Sequence, residues 1–327
     1  MSDIKLFQLS ATSHVLADDQ AVIELTSKTA KLEKDLQLQI EQNMEVFLGI
    51  RFLVSEHSTG KTHKGRIDSL GLDENGCPVI IEYKRHSNEN VINQGLFYLD
   101  WLLDHQAEFR WLVMDKFGKE VAQNIEWAGT RLVCIASDFN KYDEHAVQQI
   151  HRNIELMRYR YFGENLLLLE LVNATSVPQP ISTVTKVKAS VTSAKAKTNN
   201  NNNKTERKDT HEARILQADS SLLSLYGAIC DYSDSLGDEV QRKELKFYTA
   251  FKRIKNFVSV QVWAPQQDPS LRLYMKLNPD NIDLIIGKVS DVRDKGHWGT
   301  GDLEVIVRSV DDLELAKQLI EKSYQEN

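Results

Sequence analysis

The hydrophobic and polar positions around residue 75 predict a β-hairpin. Residues 66–72 and 78–84 are strand-like, and 79–81 form an apolar run typical of a buried strand. The residues between them, 73–76, end in Gly76, which suits the left-handed conformation of a tight turn. The charged run Glu82-Tyr83-Lys84 then follows the apolar run directly. The sequence therefore predicts charged side chains in a strand of this hairpin that is expected to be buried.

Apolar spacing predicts the other elements of the first half of the chain. A period of three to four residues indicates helices over 31–47 and 89–104, the second capped by Ser87 or Asn88, and another helix over 144–158. Short apolar runs indicate strands over 51–55, 131–136 and 166–172. This alternation predicts an α/β domain, with a mixed sheet flanked by helices.

The composition changes after residue 175 and changes again near residue 212. Residues 177–208 lose their aromatic residues and become rich in Ser, Thr, Lys and Asn, which predicts a flexible linker. Beyond it, helices are expected over 220–233 and 311–324, with strands over 257–263, 271–277 and 303–308. We therefore expect an α/β domain at 1–174, a linker at 175–212, and a smaller α+β domain at 213–327.

Composition excludes several classes of protein. The chain has 327 residues, of which 27% are charged and 41% hydrophobic, as in ordinary globular proteins. No apolar run approaches the roughly 18 residues of a membrane span, no signal peptide is visible, and the cysteines are three in number and widely spaced. These observations predict a cytoplasmic protein with reduced thiols and no membrane partner. The net charge of −7 is unfavourable for nonspecific DNA binding.

The register of the hairpin brings two carboxylates together. A three-residue loop over 74–76 places Asp73 opposite Cys77, and counting back places Asp68 opposite Glu82. Because side chains alternate along a strand, Glu82 and Lys84 share a face with Asp68, and residues 79, 81 and 83 face the other way. One Mg²⁺ could then bridge both carboxylates beside an ammonium group. Spacing alone supports a structural salt bridge at the strand ends equally well.

These motifs resemble a known superfamily. The stretch Gly65-Arg66-Ile67-Asp68, followed after the turn by Ile81-Glu82-Tyr83-Lys84, is similar to the core of the PD-(D/E)XK nucleases, with a restriction-endonuclease-like fold. The greatest similarity is to the nuclease domain of archaeal and actinobacterial endonucleases that act on branched or mismatched DNA. The resemblance covers roughly residues 40–172, and Ile67 replaces the proline that gives the motif its name.

The resemblance implies a Mg²⁺- or Mn²⁺-dependent endonuclease acting on DNA rather than RNA. Asp68 and Glu82 would hold the metal, and Lys84 would complete the catalytic centre. The further residues that it implies are, in the catalytic set, Glu45 (with Glu56 as a rival) and Gln94, and, for substrate binding, Arg66, Arg85, Gln94 and Tyr98. The alternative is a catalytically silent module of the same fold that binds nucleic acid or a protein.

The C-terminal part resembles an uncharacterised bacterial domain family that is sometimes labelled a predicted transport protein. Its basic residues alternate with aromatic residues, which is typical of nucleic-acid-binding surfaces. A solvated strand or helix edge over an aromatic core explains this pattern equally well. These residues are Lys246, Phe247, Tyr248, Phe251, Lys252, Arg253, Lys255 and Phe257. A Gly-rich loop at 296–302 surrounds His297 and Trp298. A protein partner of this domain, a homodimer and a pure adaptor role all stay open.

Overall fold

The computed structural model describes residues 4–9, 22–86, 90–175, 210–265, 267–297 and 299–327. The predicted linker, the caps Ser87 and Asn88, and Trp298 lie outside these ranges, apart from the linker's few terminal residues. None of the helices in the described ranges has the length and apolarity needed to cross a membrane.

The first part of the described chain, up to Thr175, contains a long mixed sheet and its helices. The strands are β1 (Leu6–Leu9), β2 (Val22–Leu25), β3 (Ser27–Lys28), β4 (Ile50–Ser58), β5 (Arg66–Asp73), β6 (Pro78–Lys84), β7 (Arg131–Ala136), β8 (Asn153–Phe162) and β9 (Leu166–Thr175). The helices are α1 (Glu33–Gln42), α2 (Met44–Leu48), α3 (Gly60–His63), α4 (Val91–Asp104), α5 (Gln106–Phe117), α6 (Lys119–Gln123) and α7 (Lys141–Gln148).

Within the described residues, β3 to β9 form one sheet in the order β3-β8-β7-β6-β5-β4, with β9 paired to β8, while β1 and β2 pair only with each other. Strands β6, β7 and β8 are parallel, and β4, β5 and β6 are antiparallel. An apolar cluster packs α4 and α5 against one face, and a second cluster packs α1 and α2 against the other. The mixed α/β architecture predicted from the sequence is therefore confirmed.

The predicted register of the hairpin is also confirmed. Ser69 pairs with Ile81 and Leu72 with Pro78, and the Asp73 amide donates to the Cys77 carbonyl at 2.9 Å. Gly76 has a φ of 74°, the left-handed conformation that the turn requires. Val79, Ile81 and Tyr83 all belong to the cluster under α1, as the alternation of side chains predicts.

Two helix predictions are wrong in part. The helix expected over 144–158 ends at Gln148, and residues from Asn153 onwards form the buried strand β8 instead. The helix expected over 31–47 is interrupted at Asn43, whose non-helical φ of −128° separates α1 from α2. In both cases, the helical spacing of apolar residues continues in the sequence beyond the point where the backbone leaves the helix.

The second part of the described chain, from Thr210, contains its own sheet. Its helices are α8 (His211–Gln217), α9 (Ser220–Asp234) and α10 (Leu313–Glu326), and its strands are β10 (Gln241–Glu244), β11 (Thr249–Lys252), β12 (Asn256–Trp263), β13 (Ser270–Met275), β14 (Val289–Asp291) and β15 (Leu303–Val307). The strands are all antiparallel, in the order β10-β11-β12-β13-β15-β14. Helices α9 and α10 cover the apolar face, which gives the predicted α+β layer.

Helix α4 approaches β7 closely because Gly95 has no side chain. A Cβ on Gly95 would lie 2.5 Å from the Leu132 methyl groups, inside a fully buried cluster. Gly95→Ala should therefore destabilise the protein by about 1–3 kcal/mol through overpacking. Urea denaturation measures this change, and Leu132→Val in the same chain should recover part of it.

A matched glycine in α9 provides the control. A Cβ on Gly227 would meet nothing within 4 Å. Gly227→Ala should therefore stabilise the protein by up to about 1 kcal/mol, because alanine favours the helix. The account of helix packing is wrong if both substitutions have the same sign.

Candidate functional site

The open end of the β5–β6 hairpin holds two carboxylates in mutual contact. The Asp68 amide donates to Glu82 Oε1 at 3.2 Å, and the Tyr83 amide donates to Asp68 Oδ2 at 3.0 Å. The backbone pairing of the two strands ends one residue earlier, at Ser69 and Ile81. The two acidic side chains therefore take over the hydrogen bonds of the ladder, and this fixes both carboxylates between the strands.

Burial makes the charge on these carboxylates costly. Glu82 is fully buried, and its Oε2 has no hydrogen-bond partner. Burial first, and then the nearby Asp68 carboxylate, raise the pKa of Glu82 to about 9. Burial also raises the pKa of Asp68, although the Tyr83 amide and Lys84 oppose this shift. Two adjacent acids that resist ionisation are a site where a cation would be favourable.

Lys84 lies at the same end of the sheet and is held by an acid from α1. Its Nζ is 3.0 Å from Glu33 Oε1, and the Arg85 amide donates to Glu33 Oε2 at 3.1 Å. Burial would lower the pKa of Lys84, but the bond to Glu33 and the charges of Asp68 and Glu82 outweigh it and raise that pKa. Lys84 is therefore a charged ammonium beside the two carboxylates.

Glu45, the acidic residue expected from the first helix, does not lie beside Lys84. Glu45 is exposed on α2, next to the start of β4, and β4 begins opposite Asp73 at the turn end of the hairpin. Glu33, in the first turn of α1, is the acid that meets Lys84. The rival residue, Glu56, lies near Asp68, since its charge contributes to raising the Asp68 pKa. It is, however, paired with Lys34 at 2.8 Å and Arg66 at 2.5 Å.

The residues expected to contact substrate are only partly exposed. Tyr98 is buried, and its hydroxyl accepts from the Arg66 amide at 3.2 Å and from Gln94 Nε2 at 3.4 Å. Gln94 and Tyr98 thus share one face of α4 as predicted, and they hold the beginning of β5. The side chains of Arg66 and Arg85 are exposed at the rim of the site. The arginines are therefore the candidates for contacts with a bound anion.

A polar network beneath the site was not predicted. Gln37 Nε2 lies within hydrogen-bonding distance of the Asp68 carbonyl at 2.8 Å and of Glu41 Oε1 at 2.9 Å. Ser69 Oγ donates to the same Glu41 oxygen at 2.6 Å and contacts the Tyr83 hydroxyl at 3.2 Å. The signal in the sequence was a polar residue every fourth position, at 33, 37 and 41, on one face of α1. This network fixes the backbone at Asp68 from the α1 side.

The residues present fit a Mg²⁺ ion with few protein ligands. Mg²⁺ is usually bound through one or two carboxylates, together with water and substrate phosphate oxygens. Asp68 and Glu82 supply the two carboxylates, and the unpartnered Oε2 of Glu82 is a buried oxygen ready to bind a cation. Across the described ranges, no cluster of three or more His, Cys, Asp and Glu side chains could hold a metal. A Mg²⁺ ion held by these two carboxylates would take its other ligands from water and substrate phosphate oxygens.

Comparison with known proteins gives a family-model match for the C-terminal part. Residues 212–327, about a third of the chain, match a domain of unknown function, DUF5655. An uncharacterised protein of Haemophilus influenzae is 27% identical over 305 residues, which cover 93% of this chain and 96% of that protein. The relative thus has nearly the whole length in common with this chain.

Solved structures give only weak likenesses. A repair endonuclease from Pyrococcus abyssi matches 40% of this chain with 18% identity and a TM-score of 0.27. The EndoMS–dsDNA2 complex also matches 40%, with 18% identity and a TM-score of 0.24. The matches span 48% and 47% of those proteins, so the chain spans about half the length of the structures that it matches. Likenesses with TM-scores this low are too weak to support a function.

Glu82 should make the stability of the metal-free protein depend on pH. Its pKa in the folded state is above its unfolded value, so stability is lost as the pH rises from about 4.5 to about 9. Glu82→Gln removes this penalty and should be more stable than the wild type by roughly 3 kcal/mol at pH 7. The two proteins should become equally stable near pH 4.5.

Urea denaturation in EDTA at several pH values measures this difference. Glu164→Gln, an exposed acid in the turn between β8 and β9, is the matched control and should show no such trend. If the difference in unfolding free energy between Glu82→Gln and the wild type does not change with pH, the raised pKa of the buried Glu82 is contradicted.

Proposed function

We propose that this chain is a metal-dependent nuclease of the PD-(D/E)XK type, which hydrolyses DNA phosphodiester bonds at Asp68, Glu82 and Lys84. The observation that carries the proposal is the buried Glu82 carboxylate, whose Oε2 has no partner and which lies against Asp68. Lys84, the cation beside these acids, is already bonded to Glu33, and Glu82 Oε2 has no hydrogen-bond partner. A buried carboxylate left in this way is typical of a site completed by a bound cation.

Each residue has a role in this proposal. Asp68 and Glu82 would hold Mg²⁺ or Mn²⁺, which when bound supplies Lewis-acid stabilisation and makes water more acidic. Lys84 donates hydrogen bonds towards the scissile phosphate and stabilises the negative charge that develops there. A water molecule loses one proton as it forms the new bond to phosphorus, the bond from phosphorus to the leaving sugar oxygen breaks, and that oxygen takes up one proton. Arg66 and Arg85, on the rim, contact neighbouring phosphates.

The second candidate is a module of the same fold that binds DNA or a protein without cleaving it. The net charge of −7 favours this candidate, because strong DNA binding requires a basic face. The charge of Lys84 is also already compensated by Glu33. The two candidates differ in a single property, which is cleavage in the presence of a divalent cation.

A cleavage assay distinguishes them. We expect the purified protein to cut DNA with Mg²⁺ or Mn²⁺, with single-stranded, duplex and branched DNA and RNA as test substrates. Asp68→Asn should weaken metal binding and Lys84→Met should remove a positive charge beside the scissile phosphate, so each should lower the rate by about 10² or more. Asp104→Asn, an exposed acid at the end of α4, is the control. Cleavage that survives in both site variants excludes this site, and binding without any cleavage favours the second candidate.

Glu33 and Glu45 give a further test through the pH dependence of cleavage. Glu33→Gln removes the partner that raises the Lys84 pKa, and burial then lowers that pKa. The rate should therefore begin to fall at a lower pH on the alkaline side than in the wild type. Glu45→Gln, on α2, should leave the profile unchanged. Equal shifts in both variants would mean that Glu33 does not act through Lys84.

A further inference from the structure

The cations and aromatic residues at 246–257 do not form an open surface. Phe251 and Phe257 lie in the core of the second sheet, and the buried Tyr248 donates its hydroxyl to Asn75 Oδ1 at 3.1 Å. The Lys252 Nζ donates to Glu155 Oε1 at 2.7 Å. This segment therefore faces the first sheet, at the end opposite the candidate active site.

Lys252 enters a cluster of buried charges that belongs otherwise to the first sheet. Arg131 contacts Asp73 Oδ2 through Nη1, and its Nε lies 3.2 Å from Glu155 Oε1. The side chains of all four residues are at most 5% exposed. Without Lys252, the cluster would hold two carboxylates and one guanidinium. The first sheet alone is therefore one positive charge short.

Contacts around this cluster hold the turn of the hairpin. Glu74 Oε2 accepts from the Asn256 amide at 2.9 Å, and Glu74 also forms an ion pair with Lys276. Asn75 Oδ1 accepts from Asn256 Nδ2 at 2.6 Å. Ile254 packs against the apolar cluster under α1. The junction thus combines buried ion pairs, amide hydrogen bonds and an apolar contact between the two regions.

We propose that the C-terminal region is an obligate intramolecular partner of the first sheet, because its Lys252 supplies the cation that the buried Glu155 requires. The two regions then stay associated when the chain between them is cut. This role does not depend on the proposed nuclease activity. It assigns the DUF5655 region of this chain a docking surface, which is the β5–β6 turn and the first residues of β7 and β8.

The charge states agree with this geometry. Burial would raise the pKa of Glu155, but Arg131 and Lys252 outweigh it and lower that pKa to about 2. Burial and the charge of Arg131 lower the pKa of Lys252, and Glu155 opposes them. Lys243, whose Nζ lies 3.5 Å from the Asn153 amide oxygen, is a second cation at the junction, and burial lowers its pKa to about 8. Both lysines come from the C-terminal region, whereas the first sheet supplies Arg131 to the cluster.

The test uses the full chain with a specific protease site introduced within 199–203. After purification and cleavage, dilution followed by size-exclusion chromatography measures the dissociation constant of the two fragments. We expect the wild-type fragments to elute together. Lys252→Met should weaken the association at least about 30-fold, because it leaves Glu155 buried without its full complement of charge. Lys255→Met, three residues further along the chain, should change it less than threefold.

A double variant separates loss of the ion pair from a general failure to fold. Glu155→Met/Lys252→Met leaves the neutral Arg131–Asp73 pair in an apolar junction, and such replacements of buried ion pairs are often neutral or stabilising. We expect it to recover most of the association lost in Lys252→Met. The proposal is wrong if the wild-type fragments separate on cleavage, if Lys252→Met binds as tightly as the wild type, or if the double variant binds no better than the single one.

Discussion

The main physical constraint on this structure is the unfavourable free energy of burying the Glu82 carboxylate away from water. The β6 strand is buried on both faces, and Glu82 continues its apolar run without reaching solvent. Its Oε1 accepts a hydrogen bond from the Asp68 amide, and the Asp68 carboxyl adds a second acid to the same space. A fold that needed only stability would place an apolar residue there. The presence of two acids in this position is the physical reason for proposing the hairpin as the functional element.

The same sheet contains buried charges of a different kind at its other end. There, Asp73 and Glu155 meet Arg131 and Lys252, so every carboxylate has a cation in contact. Both carboxylates are buried. At Glu82 the effect of burial exceeds that of the nearby charges and raises the pKa, whereas at Glu155 the effect of the cations exceeds that of burial and lowers the pKa. Paired charges at the turn end serve to join parts of the chain. At the open end, Glu82 Oε2 has no hydrogen-bond partner, and it is the oxygen to which the proposed cation would bind.

The hairpin and its acids could be predicted from the sequence because their information is local. Gly76 fixes the turn, the turn fixes the register, and the register fixes which side chains face each other, so Asp68 and Glu82 had to meet. The charge of Lys84 next to them follows from the same count. The acid from α1 was not predictable in this way. Choosing Glu33 over Glu45 requires the angle at which α1 crosses the sheet and the interruption at Asn43, neither of which spacing determines.

Strand β8 shows most directly why a short stretch of sequence cannot predict an element that depends on long-range contacts. Residues Asn153 to Arg158 alternate polar and apolar positions with a period that suits an amphipathic helix as well as a strand, because Glu155 and Arg158 look like solvent-exposed charges. Both are buried. Glu155 meets Lys252, 97 residues away, and Arg158 bonds to Asp138 and Glu170. A charged residue can therefore occupy a central strand when a distant part of the chain brings its counterion, and a sequence window cannot contain that counterion.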